Sequence, residues 1–160
     1  MDFDGFGIGG AIEKSQLGAI VRWVCEELPE NKPRHLLGIS EPSDIFAAVE
    51  AGADTFDCVA PTREARNGAI YTMDGRYNLK AAKHREDFTP LDEECSCIVC
   101  QKYTKAYIHH LFRSKEMLAA TLASYHNEYF IISLVNSIRE SIKHGNFEEH
   151  KSTVLARYSH

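Results

Sequence analysis

Three cysteines stand within six residues, in the order Cys95-x-Cys97-x2-Cys100. Zinc takes four soft or borderline ligands in a tetrahedron, and a tight turn can aim three thiolates at one point while a helix laid alongside supplies an imidazole. The competing reading is a redox or otherwise reactive group of thiols. Spacing leaves the fourth ligand open. His126 follows Cys100 after 25 residues, and His109 and His110 lie nearer. Four protein ligands leave no open position, so such a metal is structural rather than catalytic. Cys25, in an apolar helix pattern, and Cys58, beside a strand end, read as small buried hydrophobes.

A second group that could do chemistry is Asp57, in Phe56-Asp57-Cys58-Val59. A charge inside an apolar strand costs free energy unless it has partners or a task. Catalytic groups gather at the C-terminal ends of parallel barrel strands. The plainer reading is an aspartate hydrogen-bonded to a neighbouring loop. Just beyond it runs Ala60-Pro61-Thr62-Arg63-Glu64-Ala65-Arg66-Asn67-Gly68. Thr62, Arg63 and Arg66 fit a compact loop that reads phosphate or base. Against this, an arginine pair on a solvated face does little.

Composition bounds what these groups belong to. The 160 residues are 44% hydrophobic and 26% charged, ordinary for a globular chain with its own core. A net charge of −5 argues against wholesale coating of nucleic acid and leaves room for a local basic patch. No apolar run approaches the roughly 20 residues of a membrane helix, and Met1-Asp2-Phe3-Asp4 lacks the pattern of a signal peptide. Five cysteines make an odd number for a disulfide framework, and a cytoplasmic, reducing compartment is expected.

The elements that must position these residues change character along the chain. Residues 3–10 read as a short strand running into glycines. Residues 15–28 carry Leu17, Ile20, Val21, Val24 and Leu28 at helical period. Residues 35–39 form an apolar strand. A helix with Pro42 in its first turn follows and closes at Gly52. Residues 55–59 form the next strand. This is βαβ logic and implies parallel strands. Then the alternation stops. Residues 69–72 and 76–79 flank Asp74-Gly75, a hairpin signal, and residues 104–145 read as helical. Three strands and two helices neither close a barrel nor cover both faces of a sheet, so the chain reads as part of a larger α/β unit.

Taken together, the motifs resemble the tRNA-guanine transglycosylases, or queuine tRNA-ribosyltransferases. The resemblance is carried by Asp57-Cys58-Val59-x-Pro61-Thr62-Arg63-x2-Arg66-Asn67-Gly68, Lys32-Pro33-Arg34-His35-Leu36-Leu37-Gly38, Pro90-Leu91-Asp92-x2-Cys95-x-Cys97-x2-Cys100, Ala106-Tyr107-Ile108-His109-His110-Leu111 and His126-Asn127. These span nearly the whole chain in family order. The resemblance implies an α/β fold: the C-terminal strands and helices of a (β/α)8 TIM-type barrel plus a helical zinc-binding subdomain. Residues 1–68 would be barrel, 69–145 hairpin and zinc subdomain, and 146–160 a tail or helix completing the barrel. It implies exchange of guanine for a 7-deazaguanine base in a tRNA anticodon loop, with Asp57 as nucleophile and a structural Zn2+ on Cys95, Cys97, Cys100 and His126. Gly10 would offer backbone to the base, since only glycine allows such close approach. Gly38, Ser40, Asp44, Thr62, Arg63 and Arg66 would contact RNA. A homodimer, or a complex with the rest of the barrel, is implied as partner.

The run after the glycine pair departs from the family's usual Leu-Ala-Val-Gly-Glu, reading Ala11-Ile12-Glu13-Lys14, and is expected to be shortened. The alternative function is a non-catalytic, zinc-stabilised RNA-binding or dimerisation module.

Overall fold

The computed structural model describes residues 3–10 and 13–158. Met1-Asp2, Ala11-Ile12 in the run expected to be shortened, and Ser159-His160 lie outside them. The chain divides into two units, Met1–Val59 and Ala60–His160.

The first unit follows the expected alternation. Strands β1 (Phe6–Ile8), β2 (Arg34–Leu37) and β3 (Thr55–Asp57) form a parallel sheet in that order. Helix α1 (Leu17–Glu27) joins β1 to β2, and α2 (Pro42–Glu50) joins β2 to β3. The α1 stripe Leu17, Val21 and Cys25 is buried at a spacing of four residues, one turn apart on one face. The helix stops where Leu28 turns extended before Pro29, a residue that disfavours helix in its predecessor. Pro42 occupies the first turn of α2. Alternation along the strands sends Ile8, Leu36 and Phe56 toward the apolar cluster with α1 and α2. Full burial of a side chain such as Leu36 or Val21 contributes about 1.5–3 kcal/mol. The same alternation puts Gly7, His35, Leu37, Thr55 and Asp57 on the opposite face, where Leu37 and Asp57 are exposed.

In the second unit a long helix, α6, is the spine. The other elements are α3 (Ala60–Arg66), the hairpin β4 (Ala69–Thr72) with β5 (Gly75–Asn78), α4 (Ile98–Lys102), α5 (Lys105–Arg113), α6 (Met117–Lys143) and α7 (Phe147–Tyr158). Ala65, Ile70, Leu79, Leu91, Val99, Ile108, Leu122 and Ala123 form one apolar core. Arg157 of α7 reaches Asp74 in the hairpin turn and, at 2.8 Å, Glu94 ahead of the cysteines.

Three local readings change. Residues 60–66, expected as loop, are helix α3: Pro61 sits in the first turn, where it is tolerated, and Ala65 is wholly buried. The hairpin turn is Met73-Asp74 rather than Asp74-Gly75, because Thr72 pairs with Gly75. The helical stretch is two helices. Lys115 has φ 59, Lys115 N–H donates to the Phe112 carbonyl and Glu116 N–H to that of Leu111, which closes α5 in a Schellman motif. Gly145 and Asn146 close α6 in the same way on Ile142 and Ser141. No helix of the described residues is long and apolar enough to cross a membrane.

Candidate active-site strand and metal centre

The end of β3 carries Asp57, and β2 supplies its surroundings. The parallel register sets His35 opposite Thr55 and Leu37 opposite Asp57. The His35 ring then bridges two residues of β3. Its Nδ1 lies 2.8 Å from Thr55 Oγ1 and its Nε2 3.2 Å from Asp57 Oδ1. A carboxylate only accepts, so Nε2 carries the proton and donates to Asp57. The backbone N–H of Gly38 donates to the same oxygen at 3.3 Å. Gly38 has φ +78, a conformation glycine adopts without steric cost. Asp57 Oδ1 thus takes two donors. Oδ2 has no partner among the described residues, and the side chain is more than half exposed. The arrangement holds a carboxylate by one oxygen and presents the other.

In the second unit, Cys95, Cys97, Cys100 and His126 converge, with their ligand atoms all within 4.8 Å of one another. Cys97 is the N-cap of α4, its sulfur accepting from Cys100 N–H at 3.4 Å. His126 comes from α6 and is wholly buried. Its Nδ1 lies 3.6 Å from Cys97 Sγ and 3.3 Å from Cys100 Sγ. Bonds of about 2.0 Å to nitrogen and 2.3 Å to sulfur put tetrahedral neighbours roughly 3.5–3.8 Å apart, so these separations fit a metal ion at the centre. His126 Nε2 donates to the Tyr71 carbonyl at 2.9 Å, which fixes the tautomer and turns the Nδ1 lone pair toward the sulfurs.

With no ion at the centre, the sulfurs and the ring share protons among themselves. The hydrogen bond with Cys100 holds the Cys95 thiol down to about 4, against burial. That bond and burial together push Cys100 far up. Burial opposes charge on His126, but hydrogen bonds to the Cys95 and Cys97 sulfurs raise it to about 9. A metal ion that bound all four groups would have to displace these protons, so binding would weaken as pH falls. All five cysteines are free of disulfides. His109 is not in the cluster, and its Nδ1 faces the Leu79 carbonyl at 2.9 Å. Among the three histidines left open by spacing, the geometry selects His126.

The model of the family described as queuine tRNA-ribosyltransferase matches residues 1–160. The chain belongs to that family. It is 46% identical over 160 residues to the queuine tRNA-ribosyltransferase of Fusobacterium nucleatum subsp. nucleatum, covering 98% of this chain and 43% of that protein. It is 47% identical over 163 residues to that of Thermoanaerobacter sp., covering 100% and 44%. To that of Streptococcus pyogenes serotype M5 it is 45% identical over 163 residues, covering 100% and 43%. The chain spans less than half the length of these relatives.

The other residues singled out for a queuine tRNA-ribosyltransferase site stand as follows. Gly10 is exposed with φ +121, and a Cβ there would meet nothing within 4 Å. Gly38 is exposed, whereas Ser40 is buried. Asp44 pairs with Lys14 at 3.2 Å. Thr62, Arg63 and Arg66 lie on α3 of the second unit. Arg63 and Arg66 are exposed and share a face at a spacing of three. Among the described residues neither guanidinium has an ion pair. Sequence reasoning assigned no part to His35, although the register of two strands suffices to bring it to Asp57. It also missed Asn127. This wholly buried side chain accepts from Tyr71 N–H at 3.0 Å and donates to the carbonyls of Pro61 at 3.1 Å and Ala69 at 3.0 Å. It joins α6 to β4 and to α3.

Proposed function

We propose that this chain is the nucleophile-bearing part of a tRNA-guanine transglycosylase. Completed by the rest of the barrel, it exchanges guanine for a 7-deazaguanine base at the anticodon wobble position. The observation that carries this reading is the Asp57 carboxylate, held through one oxygen by His35 and Gly38 and open at the other, in a chain matched throughout by the family model.

Asp57 Oδ2 attacks ribose C1′ as the glycosidic bond breaks, its electron pair leaving with guanine, which takes up a proton. A ribosyl ester on Asp57 results. The incoming base then attacks C1′, its nitrogen loses a proton, and the carboxylate is released. This is a retaining double displacement. The target nucleotide must leave its stack to reach Asp57, and Gly10 offers backbone to the base. Thr62, Arg63 and Arg66 hold the flanking nucleotides of the unstacked loop, and Gly38, Ser40 and Asp44 also contact the RNA. The three parallel strands belong to a (β/α)8 barrel whose other strands lie in the part of the relatives that this chain does not span. Residues 1–68 are its barrel segment, 69–145 the zinc subdomain and 146–160 the closing helix.

Cys95, Cys97, Cys100 and His126 hold Zn2+. An ion held there would be structural, joining the cysteine turn to α6, since the protein would fill all four positions. A homodimer forms through residues 103–111, where Tyr103 and Tyr107 stack at 5.5 Å and Tyr107 is exposed.

The test supplies the remaining part of a relative, adds tRNA carrying guanine at the wobble position, and follows base exchange. Asp57→Asn should abolish exchange and the covalent RNA–protein band on denaturing gels. Full turnover by Asp57→Asn refutes the assignment. The chain alone should show no exchange, because groups that act as a unit leave no proportional residue of activity.

A further inference from the structure

Away from Asp57 and from the cysteines, the second unit has a cavity of about 210 Å³ lined by Lys80, Ala82, Arg85, His109 and Arg113. Three of its five lining residues are permanent cations, and no carboxylate is among them. In a chain of net charge −5 this is a local reversal of sign. The cations come from separate segments: Lys80 just beyond β5, Arg85 at the end of a 3-10 turn, and Arg113 in the last turn of α5. A cation at the C-terminal end of a helix complements its dipole, which accounts for Arg113 but not for Lys80 or Arg85.

The cavity is also built. The Lys80 stem lies over Gly68, where a Cβ would stand 3.0 Å from Lys80 Cγ and Cε; only a residue without a side chain lets the lysine pass so closely. The Lys80 ammonium lies 5.4 Å from the centre of the Phe112 ring. His109, 6% exposed, is fixed by the bond between its Nδ1 and the Leu79 carbonyl. Asp87, two residues beyond Arg85, is engaged by Thr89 at 2.6 Å and Lys105 at 3.3 Å. Like charges held around one space repel until an anion enters, and a guanidinium pair with an ammonium matches the oxygens of a phosphate.

We propose that this cavity seats a phosphate of the tRNA backbone, outside the nucleotides held at Asp57. The identity of the phosphate's carrier rests on the function proposed above.

The experiment uses the full 160-residue chain, with tRNA binding followed by fluorescence anisotropy over a salt series. A parallel titration with inorganic phosphate is followed through the His109 ring signals. The variants are Arg85→Gln with Arg113→Gln, and separately Lys80→Gln; all three side chains are exposed. The exposed Arg139→Gln serves as control. The double variant should bind tRNA about 10-fold more weakly, and its slope of log affinity on log salt should be shallower by about 1, the loss of one phosphate contact. Lys80→Gln should move both in the same direction and Arg139→Gln neither. An unchanged slope in the double variant overturns the proposal, as does phosphate that shifts His109 while tRNA binding is indifferent to Arg85 and Arg113. If Arg63→Ala and Arg66→Ala weaken tRNA binding while the cavity variants do not, only this inference fails. If the unaltered chain binds no tRNA even with the remaining part of a relative supplied, the proposed function fails together with it.

Discussion

His35 Nε2 lies 3.2 Å from Asp57 Oδ1, on the face of the sheet opposite α1 and α2. The ring cannot swing away without giving up Thr55 at its other nitrogen. His35 is therefore a positioning residue. It selects which carboxylate oxygen is held and which is left open, the one that attacks in the mechanism proposed above.

His35→Ala should lower kcat for base exchange by about 10–100-fold and leave KM for tRNA nearly unchanged, since orientation is lost and not binding. His35→Gln, whose amide can donate to Asp57, should recover part of the loss. Steady-state kinetics with the remaining part of a relative supplied would decide it. An unaltered kcat in His35→Ala would show that Gly38 alone suffices.

Purified without chelator, the chain should carry about one zinc per molecule by atomic emission. Cys97→Ala and His126→Ala should lose it and become less stable by roughly 3 kcal/mol or more, because metal binding and folding are coupled. His109→Ala should keep its metal. The reverse pattern, with metal lost from His109→Ala and kept in His126→Ala, would contradict the ligand set.

Asn127 satisfies one buried N–H and two carbonyls. Asn127→Ala leaves all three in an apolar setting and should cost about 2–4 kcal/mol, read from the urea midpoint. Metal content should stay at one per chain, which separates this effect from loss of the cysteine site. A change under about 1 kcal/mol would mean that water enters and replaces the amide.

Acid should weaken the second unit in two windows. Burial lowers the pKa of His84 from its ordinary 6.5. The unfolded chain then takes the proton first, and stability falls as pH drops below about 6.5. Hydrogen bonds, chiefly from the Thr89 hydroxyl, lower Asp87 from 3.8 to about 2. Its contribution is present above 3.8 and lost as pH falls toward 2. Asp87→Asn should therefore be less stable than the parent at pH 7 in urea titrations, and the gap should close by about pH 2. A gap that stays constant with pH would remove the carboxylate from the account.

Much of the first unit was legible because its signals are local. The α1 stripe, Pro42 in the first turn of α2 and the apolar strands need only period and turn chemistry. The cysteine cluster was legible because three ligands share one turn. Spacing did not reach the fourth ligand, which came from the family resemblance, since Nδ1 of His126 is aimed by a bond to Tyr71 fifty-five residues away. Helix α3 read as loop because seven residues with two arginines have little apolar period of their own; Ala65 and the bond to Pro61 hold it from outside. The break between α5 and α6 was hidden because Lys115, not glycine, takes the left-handed position. The barrel, which the family implies, is not present in this chain's three-stranded sheet.

Consider the outer edge of β4. A two-stranded hairpin has two edges on which another strand could add. On β4 the outward N–H and C=O of Tyr71 and the C=O of Ala69 are all taken, by Asn127 and His126. One of the residues that blocks this edge, His126, belongs to the candidate metal cluster. Stripping the ion would loosen His126, and with it the lock on Tyr71. The apo chain would then free the Tyr71 carbonyl, while Asn127 still holds the Tyr71 N–H and the Ala69 carbonyl. The guard on this edge is thus shared: one part would go with the ion, and the larger part rests on an amide that no metal touches.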